Sequence, residues 1–323
     1  MIVRGAPALL PAEAARRVAA AGAEPIWLSS PEPLAPTTSQ GGASIDLRTT
    51  HGSYPVSIRC DVVAADPWLV VRGRPIAEVE EAWKAARARW GAATPASLSG
   101  SDTSLPAGLP IGVGWLAYDL ARRWRDPSRP EAGPGGLRDA PPAGAGEPFA
   151  WPDVEARFFD ALWLRDAETG RARLVARDEA AAARLLERLE RPAPVTPSPP
   201  RIGALTGDRS RAAHEAAVER IRDYLRAGDV YQVNLARRLS ATIEPGDPVW
   251  IAARLRERAP APFAIWMGTR RDAPAPGAAR SNGGGAALPP IDAYVVGNSP
   301  ERFLRVRAGG HVETSPIKGT RPR

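Results

Sequence analysis

The chain has 323 residues, 44% hydrophobic and 24% charged, with a mean hydropathy of −0.27, which is the profile of a globular protein of one large or two modest domains and excludes a disordered polyelectrolyte or a coiled coil. Its 43 basic and 36 acidic residues leave a net charge of +7, but the isoelectric point near 10.2 is inflated by arginine, because only Lys84 and Lys318 are lysines. The positive excess is spread along the chain without a like-charge block or an aromatic-basic ribbon, so no nucleic-acid partner is expected.

In chain order, the N-terminus comes first. Arg16 and Arg17 fall where a signal peptide needs apolar residues, and the sequence holds no apolar run of about 18 residues that could span a membrane. The single cysteine, Cys60, cannot form an internal disulfide; a cytoplasmic location is expected. A strand is predicted over 69–72 and a helix over 76–90. The stretch 125–152 is too rich in Pro and Gly to hold a helix. Strands are predicted over 154–163 and 172–176, then a helix-like run Glu-Ala-Ala-Ala-Ala-Arg-Leu-Leu-Glu-Arg-Leu-Glu, then a Pro-rich break over 192–200.

Beyond that break a helix is predicted over 212–227. It sets Val218, Ile221 and Leu225 at helical spacing and leaves Gly228 for the left-handed cap. Strands follow over 265–268 and 293–296, separated by a glycine-rich loop over 272–290. Strands and helices without regular βαβ alternation argue for an α+β fold. The change of pattern divides the chain into 1–191, a linker over 192–208, and 209–323.

Chemistry concentrates near the end of the sequence. In Gly309-Gly-His-Val-Glu-Thr-Ser-Pro-Ile-Lys-Gly-Thr-Arg-Pro-Arg323, two prolines stiffen the chain and Gly319 permits close approach to the backbone. Lys318 and Thr320 offer an amine and a hydroxyl, and Arg321 and Arg323 suit carboxylates. A charged turn is the plain alternative. The glycine spacing is wrong for a phosphate loop of the Walker type. In a chain that otherwise prefers arginine, Lys318 hints at a base that must lose its proton, since a desolvated lysine can act as a nucleophile and an arginine cannot; Lys84, on a helix face, is the counterweight.

Upstream, Asn298-Ser-Pro-Glu-Arg-Phe303 could bring Glu301 beside Lys318 through a strand–turn–strand arrangement, although a surface Glu301–Arg302 pair reads equally well. Gln232 and Asn234 sit in an apolar stretch, where buried amides serve either ligand readout or strand pairing. His51, His214 and His311 are too scattered for a zinc site, and no Gly-x-Ser-x-Gly elbow occurs.

Five segments together resemble the chorismate-utilising enzymes, the family that holds component I of aminodeoxychorismate synthase and of anthranilate synthase. They are Ile111-Gly-Val-Gly-Trp-Leu-Ala-Tyr-Asp-Leu120, Gly228-Asp-Val-Tyr-Gln-Val-Asn-Leu235, Pro260-Ala-Pro-Phe263, Ser299-Pro-Glu-Arg-Phe303 and Pro316-Ile-Lys-Gly-Thr320. They stand in the family's order and span most of the chain from about residue 25 onward. The resemblance implies an antiparallel β-sandwich of two sheets with flanking helices. The part up to residue 191 would be the N-terminal domain, and 209–323 the first part of the chorismate-binding domain, with its C-terminal part missing.

Within the family, lysine at the position of Lys318 favours the aminodeoxychorismate branch, where anthranilate synthases usually carry alanine; Asn234 points the same way. By the resemblance, Lys318 attacks C2 of chorismate and Glu301 protonates the departing 4-hydroxyl. Ammonia from a glutamine amidotransferase partner then adds at C4, and Gly319, Thr320 and Arg323 contact the substrate. The product would be 4-amino-4-deoxychorismate, on the way to p-aminobenzoate and folate. Many members also hold L-tryptophan in the N-terminal sandwich. The matching positions are Ser30, the run Ser57, Ile58, Arg59 and Cys60, and Pro262, Phe263 and Ala264, with Ala259 where the family has Asn.

The family's Mg2+ glutamates belong to a segment beyond the lysine motif, so no metal ligand is expected among these residues, and the chain taken alone is expected to be inactive. Two alternatives stay open: an anthranilate synthase-like enzyme, and a non-catalytic half-domain that binds tryptophan or an amidotransferase.

Overall fold

The computed structural model describes residues 2–20, 24–30, 60–73, 76–91, 111–117, 120, 152, 154–192, 198–269, 293–306 and 312–317. Several strands are apolar at successive positions, as in Val62-Val-Ala64 and Ala161-Leu-Trp-Leu164, and such runs suit strands covered on both faces. A seven-stranded sheet takes them in the order β1 (Ile2–Gly5), β8 (Ala172–Ala176), β7 (Ala161–Asp166), β3 (Cys60–Ala64), β2 (Ile26–Ser30), β11 (Phe263–Thr269) and β12 (Ala293–Ser299). Every neighbouring pair is antiparallel.

A second, three-stranded antiparallel sheet has β6 (Val154–Phe158) between β4 (Leu69–Arg72) and β5 (Gly112–Leu116). Alternation along the strands sorts the core into layers. Ile26, Cys60, Val62, Leu162, Leu164, Val175 and Met267 point one way and meet Trp90, Val113 and Trp115 between the two sheets. Trp27, Val63, Trp163, Leu174 and Trp266 point the other way, against α1 (Pro11–Ala20), α3 (Glu179–Glu190) and α5 (Trp250–Arg258). On the outer face of the smaller sheet, Val71, Ala156 and Phe158 pack with Ala82 and Ala86 of α2 (Ile76–Gly91). This is the expected antiparallel β-sandwich with flanking helices.

The run expected as one strand over 154–163 is two. β6 ends at Phe158 in the small sheet and β7 starts at Ala161 in the large one, so the chain crosses between layers at Phe159-Asp160. Asp160, 5% exposed, holds that corner by accepting two hydrogen bonds from Arg89, at 2.7 and 2.6 Å, with Arg177 at 3.3 Å. The strands expected over 265–268 and 293–296 extend to Phe263–Thr269 and Ala293–Ser299. Helix α5 stops because Pro260 follows Ala259 and cannot continue the helical hydrogen bonding.

Compact units do not follow chain order. One unit takes the described residues up to 192 together with 248–317, so the large sheet draws strands from both sides of the 192–208 segment; the other takes 198–247. Within that second unit, β9 (Thr206–Gly207) pairs with β10 (Leu239–Ser240). Its helix α4 (Arg211–Ala227) ends at Gly228, φ 81°, as the sequence predicts, and at its start the Ser210 hydroxyl accepts the Ala213 N–H. No residue of α4 is buried.

Candidate active site

The site builds from the end of β12. Ser299 closes the strand, and its hydroxyl accepts the Glu301 N–H at 3.3 Å and donates to the Glu301 carbonyl at 3.0 Å, which holds Ser299-Pro300-Glu301 as a tight turn. Glu301 is exposed at its tip. A hairpin follows, β13 (Arg302–Val306) with β14 (Val312–Ser315), in which Arg302 faces Ser315. The Arg302 guanidinium donates to Glu313 at 2.6 Å and lies 5.2 Å from the centre of the Phe263 ring.

Glu301 therefore precedes one strand of the hairpin, and the sequence leading to Lys318 leaves the other strand at the same end. Lys318, Gly319, Thr320 and Arg323 themselves lie outside the described residues. Lys84 is accounted for by its own helix. Its ammonium sits 2.9 Å from Glu81 and 3.0 Å from Glu80, and these hydrogen bonds push its pKa up. It is a solvated helix-face pair of the i,i+3 and i,i+4 kind.

The positions matched to a tryptophan pocket meet at one end of the large sheet. Ser30 and Cys60 are cross-strand partners, and β11 begins at Phe263 beside the same end of β2, where Ile265 faces Leu28. Cys60 is buried among the residues between the sheets. Burial, and then the nearby Asp61 and Asp166 carboxylates, push its thiol up to about 12. Pro262, Phe263 and Ala264 are half-buried, while Ser57, Ile58 and Arg59 lie outside the described residues.

Two polar networks give no local sign in the sequence beyond a charge in an apolar strand. The first is on the helix-facing side. Asp61, fully buried, accepts from the Trp27 indole at 3.1 Å, the Ser29 hydroxyl at 2.9 Å and Arg256 of α5 at 2.7 Å. Burial pushes the Asp61 carboxyl up, and Arg256, Trp27 and Ser29 act against that rise. Beside this network lies a cavity of about 10 Å³ lined by Ser29, Arg256, Trp266 and Asn298, room for about one water.

The second network lies between the sheets. Arg157 and Glu155, both about fully buried, pair with each other; Arg157 also donates to the Gly268 carbonyl, and Arg72 donates to Glu155 at 2.6 Å and Thr269 at 3.1 Å. It ties the small sheet to the far end of β11. Gln232 and Asn234, expected as buried amides, are exposed and bond to each other at 3.4 Å.

Among the described residues, no three His, Cys, Asp or Glu side chains are grouped to hold a metal ion, so they offer no seat for the magnesium that the resemblance implies. Among the same residues, no helix is long and apolar enough to cross a membrane.

Comparison with known proteins agrees with the five motifs. The chain is 32% identical to aminodeoxychorismate synthase component 1 of Klebsiella aerogenes, in a match covering 65% of this chain and 38% of that protein. It is 34% identical to anthranilate synthase component 1 of Thermus thermophilus, covering 65% and 39%. The matches thus span under two-fifths of the length of these relatives. Anthranilate synthase component I of Streptococcus pneumoniae superposes with a TM-score of 0.42 at 18% identity, over 84% of this chain and 57% of that one. The chorismate binding enzyme family matches residues 73–323, and the chain belongs to that family.

Proposed function

We propose that this chain is part of an aminodeoxychorismate synthase component I, which converts chorismate and ammonia to 4-amino-4-deoxychorismate. The observation that carries the reading is Lys318 within Pro316-Ile-Lys-Gly-Thr320, in a chain whose other lysine, Lys84, is accounted for by its pairs with Glu80 and Glu81. A lysine amine can lose its proton and form a covalent bond, as an arginine or alanine cannot.

In this reading the neutral Lys318 amine bonds to C2 of the ring. The double bonds shift, the C4–O bond breaks, and Glu301 supplies the proton with which hydroxide leaves as water. Ammonia then bonds to C4, the double bonds shift back, and the lysine amine departs from C2. Gly319 allows the backbone to approach the ring, Thr320 donates a hydroxyl, and Arg323 pairs with a substrate carboxylate. The exposed position of Glu301 supports a donor that meets substrate, and the hairpin supports its proximity to the lysine segment. Ammonia would reach the site from a glutamine amidotransferase. The magnesium of the family would be held outside the described residues, and no step above depends on it.

A second reading, anthranilate synthesis, is favoured by the similar identity to the Thermus thermophilus relative. Incubating the full-length gene product with chorismate and ammonia separates them: 4-amino-4-deoxychorismate supports the first, anthranilate the second. Lys318→Arg keeps the charge and removes the nucleophile, so amination is expected to fall by about a hundredfold or more; activity within a few-fold of wild type would refute the covalent role. For the N-terminal sandwich we propose a tryptophan site at Ser30, Cys60 and Phe263, flanked by Ser57 to Arg59, Pro262 and Ala264. Calorimetric titration with L-tryptophan tests it, and absence of heat at millimolar ligand would count against it.

A further inference from the structure

We infer that Asn298 is a positioning residue for Glu301, acting through the C-terminal end of α5; the inference rests on the reading of Glu301 as proton donor. The Asn298 amide donates to the Ala259 carbonyl at 2.8 Å. That carbonyl belongs to the C-cap of α5, where helix carbonyls lack an intrahelical partner, and the following Pro260 has no N–H to offer. The bond therefore satisfies an orphan acceptor and joins the helix end to β12 one residue before the Ser299-Pro300-Glu301 turn.

The helix is itself fixed to the large sheet. Arg256, three residues before Ala259, donates to Ser29 at 2.8 Å and to the buried Asp61 at 2.7 Å. On the other side of the turn, Arg302 is held over the Phe263 ring and against Glu313. Glu301 thus projects from a two-residue tip clamped on both flanks, and the Asn298 clamp leads through α5 into the core. The cavity touching Asn298, about 10 Å³, has no room for a ring substrate. The amide oxygen of Asn298 is buried without a partner beside that cavity, while its N–H group holds the helix end. Loss of one such bond displaces the tip without removing its chemistry, and sub-ångström to ångström misplacement of a reacting group lowers rate more than affinity.

A double-mutant cycle on the full-length gene product tests this, with kcat and KM for chorismate measured for Asn298→Ala, Glu301→Gln and the pair. We expect Asn298→Ala to lower kcat about tenfold while KM stays within about twofold. In the Glu301→Gln background the same change should lower kcat by less than about twofold, because the group it positions is already gone. Equal losses in both backgrounds would overturn the inference, as would a rise in KM with kcat unchanged. If Glu301→Gln alone leaves kcat intact, the proton-donor reading itself fails and the inference falls with it, a result distinct from the other two. Asn298→Asp keeps the shape and loses the donor, and it replaces Asn298→Ala in the cycle if the alanine variant does not fold.

Discussion

At the scale of single residues, burial decides what each group can do. The Cys60 thiol is pushed up to about 12 from an unfolded value of 9.0, so at pH 8 it is almost wholly protonated in the folded chain. Labelling with a soluble disulfide reagent should be slow in buffer and complete within minutes in denaturant. The sign for stability follows: between pH 9 and 12 the unfolded chain gives up a proton that the folded chain keeps, so stability falls as pH rises through that window. Asp61 makes the opposite point about charge. It survives in a core because Arg256, Trp27 and Ser29 surround it. Replacing Arg256 by Met leaves a buried carboxylate unpaired, and urea unfolding at pH 7 should show a loss of about 3 kcal/mol. Since burial already raises the Asp61 pKa, that loss should shrink on acidification as the carboxyl takes up its proton.

Caps and close approaches govern the elements. Asp178 caps α3 by accepting the Ala181 N–H at 2.8 Å, and that bond lowers its pKa. Asp178→Ala should cost about 1 kcal/mol by thermal or chemical unfolding. The Ile111-Gly-Val-Gly-Trp115 motif has a packing reason as well as a family one. A Cβ at Gly114 would run into the Glu155 carbonyl, and one at Gly112 into the Trp83 and Phe158 rings. Gly114→Ala should therefore destabilise the chain by about 2 kcal/mol or more by unlatching β5 from β6, whereas Gly5→Ala, with open space around its Cβ, should be near neutral. Helix α4 was legible because its apolar spacing and its Gly228 cap are local. β13 and β14 were not assigned residue by residue, since their ladder depends on a bulge between Arg302 and Arg305 and little of either strand is buried.

Across the whole molecule, apolar surface is distributed unevenly. In the unit of 198–247, Tyr231 is 95% exposed and Leu205 66%. The face of α4 carrying Val218 and Leu225 is also uncovered. Exposed contiguous apolar surface binds hydrophobic dyes and promotes association, so the 323-residue chain should enhance the fluorescence of anilinonaphthalene sulfonate in its native state. Val218→Ser should change its unfolding free energy by less than about 0.5 kcal/mol; a loss of 2 kcal/mol would mean that the face is covered.

What the sequence determined by itself is chemistry that is short-range along the chain. The Ser299-Pro-Glu-Arg-Phe303 and Pro316-Ile-Lys-Gly-Thr320 motifs, the capped helix before Gly228, and the family membership they carry all depend on neighbours within a few residues. Tertiary structure alone decided that β11 and β12 complete a sheet begun by β1, β2 and β3, and that Asp61 meets Arg256 across 195 positions. It also decided that Asn298 reaches the end of α5. A strand's neighbours, and the partner of a buried charge, are selected by which surfaces must leave water together, and no spacing along the chain encodes that choice.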